Sequence, residues 1–165
     1  MITPKVLPDN IVSLLLLRLK DELTAFHYYK NARNWCANQG YEIASKYFEN
    51  EYKDELQHAQ VLEDFLNDWN VYFDVPQIDK NPLKFKNLAD VIEQAYKMEY
   101  ALYTEYEDTS LKIFKLGDVC AFDLLKFHRD VQTKSVAEYA TMINKLTGVD
   151  VNDKCEMLLL EKKLF

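Results

Sequence analysis

The sequence predicts an all-α protein: a four-helix bundle with one long crossover connection and a short fifth helix at its C-terminal end. Four segments of roughly 26 to 30 residues carry apolar residues at helical spacing, and the 165-residue chain has only 3 Gly and 4 Pro. Helices of this length pack side by side. A proline-containing stretch near the middle lacks helical spacing and is too long for a hairpin turn. We therefore expect one domain over residues 1–165, with the bundle at about 10–147.

Helix start and stop signals divide the chain into these elements. Pro8 interrupts any preceding helix and Asp9 can cap the next one, so Pro8-Asp9 predicts the start of the first helix. Gly40 marks the end of that helix. Gly117 ends the third helix, and Asp118 caps the fourth. The predicted helices cover about residues 10–38, 42–69, 88–116, 118–146 (ended by Gly148) and 153–164.

The stretch between the second and third helices, residues 70–86, sets the topology. It is about 17 residues long and contains Pro76 and Pro82, whereas neighbouring antiparallel helices need only about two to eight connecting residues. At roughly 3.3 Å per residue, an extended chain of this length crosses some 50 Å, the full length of a helix. The two hairpins are therefore predicted to be joined by one long crossover.

Composition and charge exclude several classes of protein. The net charge of −7 disfavours a nucleic-acid or anionic-membrane partner and favours the attraction of cations. The three cysteines are widely spaced without a Cys-x-x-Cys, which suits reduced thiols better than disulfides or a thiolate metal site. The first residues lack the pattern of a signal peptide, and no purely apolar run approaches a membrane span. We expect a cytoplasmic protein.

Each long helix carries a polar residue in its apolar, inward-facing row. These residues are Glu22 on the first helix, Glu55 on the second, Glu99 on the third and Gln132 on the fourth. An ionised group in an apolar row is costly unless something pairs with it. His58 follows Glu55 by three residues on the same helix face, and Glu-x-x-His is a chelating spacing found in bundles that hold two metal ions.

The spacing along each hairpin places these residues at one height. Glu22 and Glu55 are 33 residues apart with a midpoint beside the first turn, and Glu99 and Gln132 are also 33 apart with a midpoint beside the second. Each pair then lies about 25 Å from its turn at 1.5 Å per residue. Three carboxylates in an apolar interior repel one another unless they are protonated or bound to cations. Oxygen-rich ligation with one or two nitrogens suits iron or manganese, and zinc less specifically.

Taken one at a time, the same residues have simpler interpretations. A single glutamate on an apolar helix side usually packs its stem and reaches solvent, and an isolated Glu-x-x-His is usually a surface pair; their matched heights on four helices favour a metal site. His128 is interpreted as a core histidine rather than an outer partner of the site, and Tyr106 as core filling. His27 is expected on the surface, and Glu51 and Asp54 on a solvated acidic face.

At these residues the chain resembles the ferritin family, and the resemblance spans nearly the whole chain. It rests on four motifs: Glu22-Leu-Thr-Ala-Phe-His-Tyr-Tyr29, Asp54-Glu55-Leu-Gln-His58-Ala, Glu99 and Gln132. The resemblance implies a ferritin-like fold and an intrasubunit di-iron site. Tyr29 falls where the family keeps a tyrosine at the site, two turns beyond Glu22, from where a phenol can donate an electron or hydrogen-bond a bound oxygen species.

The resemblance also implies a role for each ligand. Glu22 and His58 would hold the first iron, Glu55 would bridge, and Glu99 would hold the second iron with Gln132 near it. The implied function is iron storage with ferroxidase activity: Fe(II) is oxidised by oxygen or hydrogen peroxide, and ferric mineral is kept inside a hollow homo-oligomeric shell, expected to have twenty-four subunits.

Several positions depart from particular branches of the family. The fourth helix reads Gln132-Thr-Lys-Ser135 where bacterioferritins carry a second Glu-x-x-His. Leu56 stands in place of their haem-ligating methionine, so no haem is expected. Val131, Lys134 and Ser135 fall where bacterial non-haem ferritins often add a third iron site, so a third site is not predicted.

Four alternatives remain open from the sequence. The chain could be a non-storing di-iron oxidase or peroxide scavenger of the rubrerythrin kind, although it lacks the cysteine module of those proteins. It could form a twelve-subunit shell like the miniferritins, or be a ferritin-like cargo protein enclosed in a larger shell. It could also be a helical interaction module that binds no metal.

Overall fold

Five α-helices form the described part of the chain, and each corresponds to a predicted segment. A computed structural model describes residues 1–79 and 83–165, so Pro82, one of the two prolines expected in the crossover, lies outside the described residues. The all-α class, the four long helices, the long crossover and the short fifth helix are confirmed. The elements are α1 (Asp9–Gln39), α2 (Glu42–Asp68), α3 (Leu88–Lys115), α4 (Val119–Lys145) and α5 (Lys154–Leu164).

The turns within the two hairpins follow the predicted signals. Gly40 lies just after α1 in the left-handed region with φ 81°, and Gly117 lies between α3 and α4 with φ 77°. Glycine adopts these angles without the steric cost that a Cβ would add. Asp118 caps α4, since its Oδ1 accepts a hydrogen bond of 2.9 Å from the backbone N–H of Ala121.

The start of α1 differs from the prediction. The helix begins at Asp9, and Pro8 occupies the capping position without a side-chain hydrogen bond in the described structure. The extended backbone of Pro8 turns its carbonyl onto the first turn, where it accepts hydrogen bonds from the N–H groups of Ile11 and Val12. Asp9 therefore lies inside the first turn, where its negative charge faces the positive end of the helix dipole.

The long connection runs from one end of the bundle to the other. Val71 and Phe73, at its start, pack into the apolar cluster near the α3–α4 turn. Leu83 and Phe85, at its end, pack into the cluster near the α1–α2 turn. Helix α1 packs mainly on α2 and α3 mainly on α4, and α1 also contacts α3. The two hairpins thus lie side by side around one interior.

A polar layer separates the apolar interior into two parts. The cluster near the α1–α2 turn includes Tyr29 and Phe48, and the cluster near the α3–α4 turn includes Leu15 and Leu62. Side chains of both clusters are closed to solvent, so the layer between them is enclosed by apolar groups above and below. The buried polar residues of this layer are Glu22, Glu55, Glu99, His128 and Gln132.

Helix α5 is fixed to the bundle by a buried glutamate. Glu161 is 4% exposed, and its Oε1 accepts a hydrogen bond of 2.7 Å from the backbone N–H of Ala44. The residue before α2, Tyr41, provides no side-chain cap within the described structure, so Glu161 supplies an acceptor to the free N–H groups at the start of α2. Judged over residues 1–79 and 83–165, no helix is sufficiently long and apolar to cross a membrane.

Candidate metal centre

Three of the predicted ligands meet in the interior. Glu22 on α1 and Glu55 and His58 on α2 each place one ligand atom within 4.8 Å of the others. His58 Nδ1 lies 3.1 Å from Glu55 Oε2 and 3.7 Å from Glu22 Oε2. The three-residue spacing of Glu55 and His58 puts both on one face of α2, and the α1–α2 hairpin brings Glu22 to the same height.

Glu99 lies beside this group rather than within it. Its side chain is fully buried, and the hydroxyl of Tyr29 donates a hydrogen bond to its Oε1. The Glu99 charge is close enough to contribute to the raised pKa of Glu55. Gln132, 1% exposed, lies near enough to Glu99 to affect the pKa of that carboxyl. Helices α3 and α4 therefore bring their predicted residues to the same layer.

Burial raises the pKa of two of these carboxyl groups and is outweighed by local contacts at the third. Burial raises the pKa of Glu55 well above its usual value, and the nearby charges of Glu22 and Glu99 add to this shift. Burial likewise raises the pKa of Glu99 to about 8, although the hydrogen bond from Tyr29 and the nearby amide of Gln132 act against that shift. Burial also acts on Glu22, but contacts with His58 and Glu55 outweigh it and lower the pKa of Glu22. Without a cation, the layer favours one ionised carboxylate among protonated neighbours.

Three acceptor oxygens in this layer are buried without a hydrogen-bond partner among the described residues. They are Oε2 of Glu22, Oε2 of Glu99 and Oε1 of Gln132. Buried polar atoms in proteins are nearly always paired, so a group of orphaned acceptors calls for a positively charged or donating occupant. Carboxylate and amide oxygens with one imidazole nitrogen form a donor set that suits iron or manganese.

Tyr106 takes part in the layer, which the core-filling interpretation missed. It is buried as expected, but its hydroxyl donates a hydrogen bond to Glu22 Oε1. The sequence contained a signal for this contact. Tyr106 follows Glu99 by seven residues on α3, which is the spacing by which Tyr29 follows Glu22 on α1.

His128 is buried, as the core-histidine interpretation expects, and it also contacts neighbours of the polar layer. Its ring is 1% exposed and stacks on Tyr106, with ring centroids 5.0 Å apart. Its Nε2 lies 3.1 Å from the backbone carbonyl oxygen of His58, which ties α4 to the part of α2 that carries Glu55 and His58. Burial lowers the pKa of His128 and so favours its neutral form.

Arg18 was not predicted from the sequence at all. It lies one turn before Glu22 and is 4% exposed. Its guanidinium donates to Glu105 at 2.9 Å and to Thr109 at 3.0 Å, both on α3, and lies 5.9 Å from the centre of the Tyr106 ring. Its position in the apolar row of α1 could have identified it as a polar residue that needs partners on a facing helix.

An acidic cleft between α2 and α4 leads to the layer. Its volume is about 270 Å³, and its walls include Glu51, Asp54, Glu55, His58 and Lys134. Asp54 is exposed as predicted, but Glu51 is half-buried rather than solvated. Burial, with the nearby charge of Glu138, raises the pKa of Glu51 to about 7. Val131 and Ser135 also line this cleft, and His27 lies on the surface as expected.

The fold and this buried layer define a four-helix bundle with a carboxylate–histidine cluster at its centre. A family model described as a ferritin-like domain matches residues 12–149. Because that match covers most of the sequence, the chain belongs to the ferritin family.

Curated relatives and solved structures agree with this assignment. A "probable bacterial non-heme ferritin-like protein" of Haemophilus influenzae is 25% identical over 159 residues, which cover 96% of each chain. A bacterial non-heme ferritin of Staphylococcus aureus is 22% identical over 96% of this chain and 95% of its own. An open pore ferritin from the archaeon Archaeoglobus fulgidus superposes with a TM-score of 0.88 at 18% identity, over 96% of each chain. The last comparison establishes the ferritin-like fold.

Proposed function

We propose that this protein stores iron and has ferroxidase activity at an intrasubunit di-iron site. The observation that carries the proposal is the set of orphaned acceptors, Glu22 Oε2, Glu99 Oε2 and Gln132 Oε1, around the Glu22–Glu55–His58 group. In this proposal iron is the substrate and cargo of the protein. Glu22 and His58 hold the first ferrous ion, Glu55 bridges, and Glu99 holds the second with Gln132 beside it.

The proposed reaction transfers two electrons from iron. Two ferrous ions lose one electron each, and either dioxygen takes two electrons and two protons to give hydrogen peroxide, or hydrogen peroxide takes two electrons and two protons to give two waters. The carboxylates favour the higher charge of the ferric ions, which makes the loss of electrons easier. Binding of iron also releases protons from Glu55 and Glu99, whose pKa values are raised by burial in the metal-free protein.

The surrounding side chains keep the ligands in place for this reaction. The hydroxyl of Tyr29 holds one oxygen of Glu99, and that of Tyr106 holds one oxygen of Glu22. Each carboxylate therefore keeps its other oxygen free for iron. The ring of His128 contacts both Tyr106 and the backbone of His58, so these positions are linked across the layer.

Iron enters, in this proposal, through the acidic cleft between α2 and α4. Glu51, Asp54 and Glu138 line it, and carboxylates in a cleft raise the local concentration of cations. After oxidation the ferric ions move to the inside of a hollow homo-oligomeric shell, expected to have twenty-four subunits in the cytoplasm, and mineralise there.

Rapid mixing of the metal-free protein with ferrous ion in air tests the site. We expect a fast rise of ferric absorbance in the wild-type protein. In Glu55→Ala and His58→Ala this phase is lost, while the circular dichroism spectrum still shows the helical fold. Glu63→Ala, on the same helix but away from the layer, is the matched control and keeps the fast phase. A wild-type rate in Glu55→Ala would contradict the assignment.

Storage is tested separately by electron microscopy after iron loading. A hollow particle with a dense core is the expected result. A small oligomer without a core, combined with normal iron oxidation, would instead support a non-storing di-iron oxidase or peroxide scavenger.

A further inference from the structure

Arg18 is a buried cation in the apolar row of α1, one turn before Glu22 on the same helix face. Its Nη1 donates hydrogen bonds to Glu105 Oε2 at 2.9 Å and to Thr109 Oγ1 at 3.0 Å, both on α3. Its Nη2 lies 2.7 Å from Asp21 Oδ2 on its own helix. The guanidinium is therefore held between α1 and α3 by three partners.

Stability alone does not account for an arginine at this place. Removing its charge from water is costly, and replacing a buried ion pair with apolar residues is often neutral or stabilising. The fully buried Leu15 and Leu19, on either side of Arg18 in the same row, show that aliphatic side chains fit this part of the interior. What arginine provides, and leucine does not, is a planar group with several donors in fixed directions.

The Arg18 guanidinium also packs on the tyrosine that contacts Glu22. Its Cζ lies 5.9 Å from the centre of the Tyr106 ring, and the Tyr106 hydroxyl donates a hydrogen bond to Glu22 Oε1. Glu105 and Thr109, which accept from Arg18, lie on either side of Tyr106 along α3. Helix α1 therefore holds Tyr106 at two points: the ring at Arg18 and the hydroxyl at Glu22.

The Tyr106 contact determines which oxygen Glu22 presents to the buried group of ligands. Because Tyr106 occupies Oε1, the free oxygen is Oε2, which has no hydrogen-bond partner among the described residues. This oxygen lies 3.7 Å from His58 Nδ1, which in turn lies 3.1 Å from Glu55 Oε2. A shift of the Tyr106 ring would therefore move the Glu22 oxygen away from its place beside His58.

The second tyrosine–glutamate contact has a different support. The residue four positions before Glu99 on α3 is Ala95, which has only a methyl group where α1 has Arg18. The ring of Tyr29, whose hydroxyl contacts Glu99, stacks instead on the uncharged ring of Phe48, with centroids 6.0 Å apart. Arg18 therefore supports the Glu22 half of the layer.

We propose that Arg18 is a positioning residue for the Glu22–Glu55–His58 group and acts on it through Tyr106. This inference rests on the proposed metal site. Arg18 does not touch the bound cation; it fixes the ring of Tyr106, and Tyr106 fixes the Glu22 oxygen that binds the cation. Loss of a partner that orients a metal ligand typically weakens metal binding by about 10–100-fold.

A cobalt titration tests this role without any oxidation step. The full-length, metal-free protein carries Glu99→Gln in every sample, so that the ligand group on α1 and α2 is the one that binds Co²⁺, and visible absorption reports the binding. Arg18→Lys keeps the positive charge but lacks the planar fork. We expect it to raise the Kd for Co²⁺ by about 10-fold or more. Arg33→Lys, the same change at a half-buried position further along α1, should leave the Kd unchanged.

A double-mutant cycle with Tyr106→Phe separates the positioning role from a general structural one. Phenylalanine keeps the ring and removes the hydroxyl that contacts Glu22. If Arg18 acts through Tyr106, Arg18→Lys weakens Co²⁺ binding no further in a protein that already carries Tyr106→Phe. Losses of affinity that multiply in the double variant would overturn the proposal, because Arg18 would then act independently of Tyr106.

An exposed partner of Arg18 provides a second variant in case Arg18→Lys disturbs the fold. Glu105 is exposed, and Glu105→Gln removes a charge that anchors Arg18 from outside the interior. We expect weaker Co²⁺ binding, with a smaller loss than in Arg18→Lys. Glu107→Gln, at another exposed position on α3, is the matched control. Equal Co²⁺ affinity in these two glutamine variants would contradict the role of Arg18.

The parent protein with Glu99→Gln alone separates the two proposals. If it binds Co²⁺ and Arg18→Lys behaves like Arg33→Lys, the role of Arg18 alone is wrong. If it shows no Co²⁺ absorption at all, the group on α1 and α2 holds no cation, and the proposed metal site fails together with this inference.

Discussion

Tyr29 on α1 and Tyr106 on α3 are cross-paired: the hydroxyl of each donates a hydrogen bond to the glutamate that the other helix places in the buried polar layer. Tyr29 contacts Glu99, and Tyr106 contacts Glu22. Each tyrosine follows the glutamate of its own helix by seven residues. The two tyrosine–glutamate contacts on these facing antiparallel helices thus position Glu22 and Glu99 in the same way. Each of the two carboxylates belongs to one proposed iron position.

Loss of one cross-pair is expected to cost stability. In Tyr106→Phe, Glu22 Oε1 loses its donor in a closed interior, and leaving a buried acceptor unpaired costs about 1–3 kcal/mol. Urea denaturation of the metal-free protein measures this loss. Tyr100→Phe, an exposed tyrosine on the same helix, should change the free energy of unfolding little. An equal loss in both variants would show that the Tyr106 hydroxyl has no special role.

The metal-free protein is expected to lose stability as the pH rises. Burial raises the pKa of Glu99 from 4.5 to about 8 and that of Glu51 to about 7, so folding favours their protonated forms. Such groups contribute stability that is fully present below the unfolded pKa and is lost as the pH rises through the folded pKa. The melting temperature should therefore fall between pH 4.5 and about 8.

A divalent cation should remove most of this pH dependence. Manganese, which is not oxidised as readily as ferrous iron, replaces the protons on the buried carboxylates and keeps them ionised at high pH. Melting curves of the metal-free and manganese-loaded protein across the same pH range test this. A melting temperature of the metal-free protein that rises through the window would contradict the burial of protonated carboxyl groups.

Helix α5 is expected to depend on Glu161. In Glu161→Ala the start of α2 loses the acceptor that caps the N–H of Ala44, and loss of a helix cap costs about 0.5–2 kcal/mol. Glu161→Gln keeps an acceptor oxygen and should retain most of the stability. Chemical denaturation gives the free energy, and limited proteolysis shows whether α5 is released. Equal behaviour of the two variants would rule out the capping role.

The cleft between α2 and α4 offers a test of charge. Lys134 places an ammonium group beside Glu51 and Asp54, so Lys134→Glu should attract divalent cations more strongly and speed the first phase of iron uptake at low salt. Lys145→Glu, an exposed position further along α4, makes the same change of net charge away from the cleft. A similar gain in both variants would point to net charge rather than to the cleft.

The helices and the common height of the buried polar residues were predictable because their signals are local or periodic. Gly40 and Gly117 mark the turns, and the equal spacing of the glutamates and Gln132 from those turns fixes their common height. The spacing could not show that Glu99 lies beside the Glu22–Glu55–His58 group rather than within it, since that depends on how the two hairpins are rotated against each other.

The contacts that the sequence did not reveal join distant parts of the chain. The Tyr106–Glu22 hydrogen bond spans 84 residues, and the Glu161 cap spans 117. The half-buried position of Glu51 has the same origin, because Tyr139 on a different helix covers it. Such contacts depend on which side chain reaches across an interface, which neither composition nor helical period determines.

Anomalous diffraction at the iron edge, on crystals soaked anaerobically with ferrous ion, tests the central claim most directly. The account predicts two iron peaks in the buried layer, one against Glu22 and His58 and one against Glu99, with Glu55 between them. An iron-free layer, or iron bound only along the outer cleft, would contradict it.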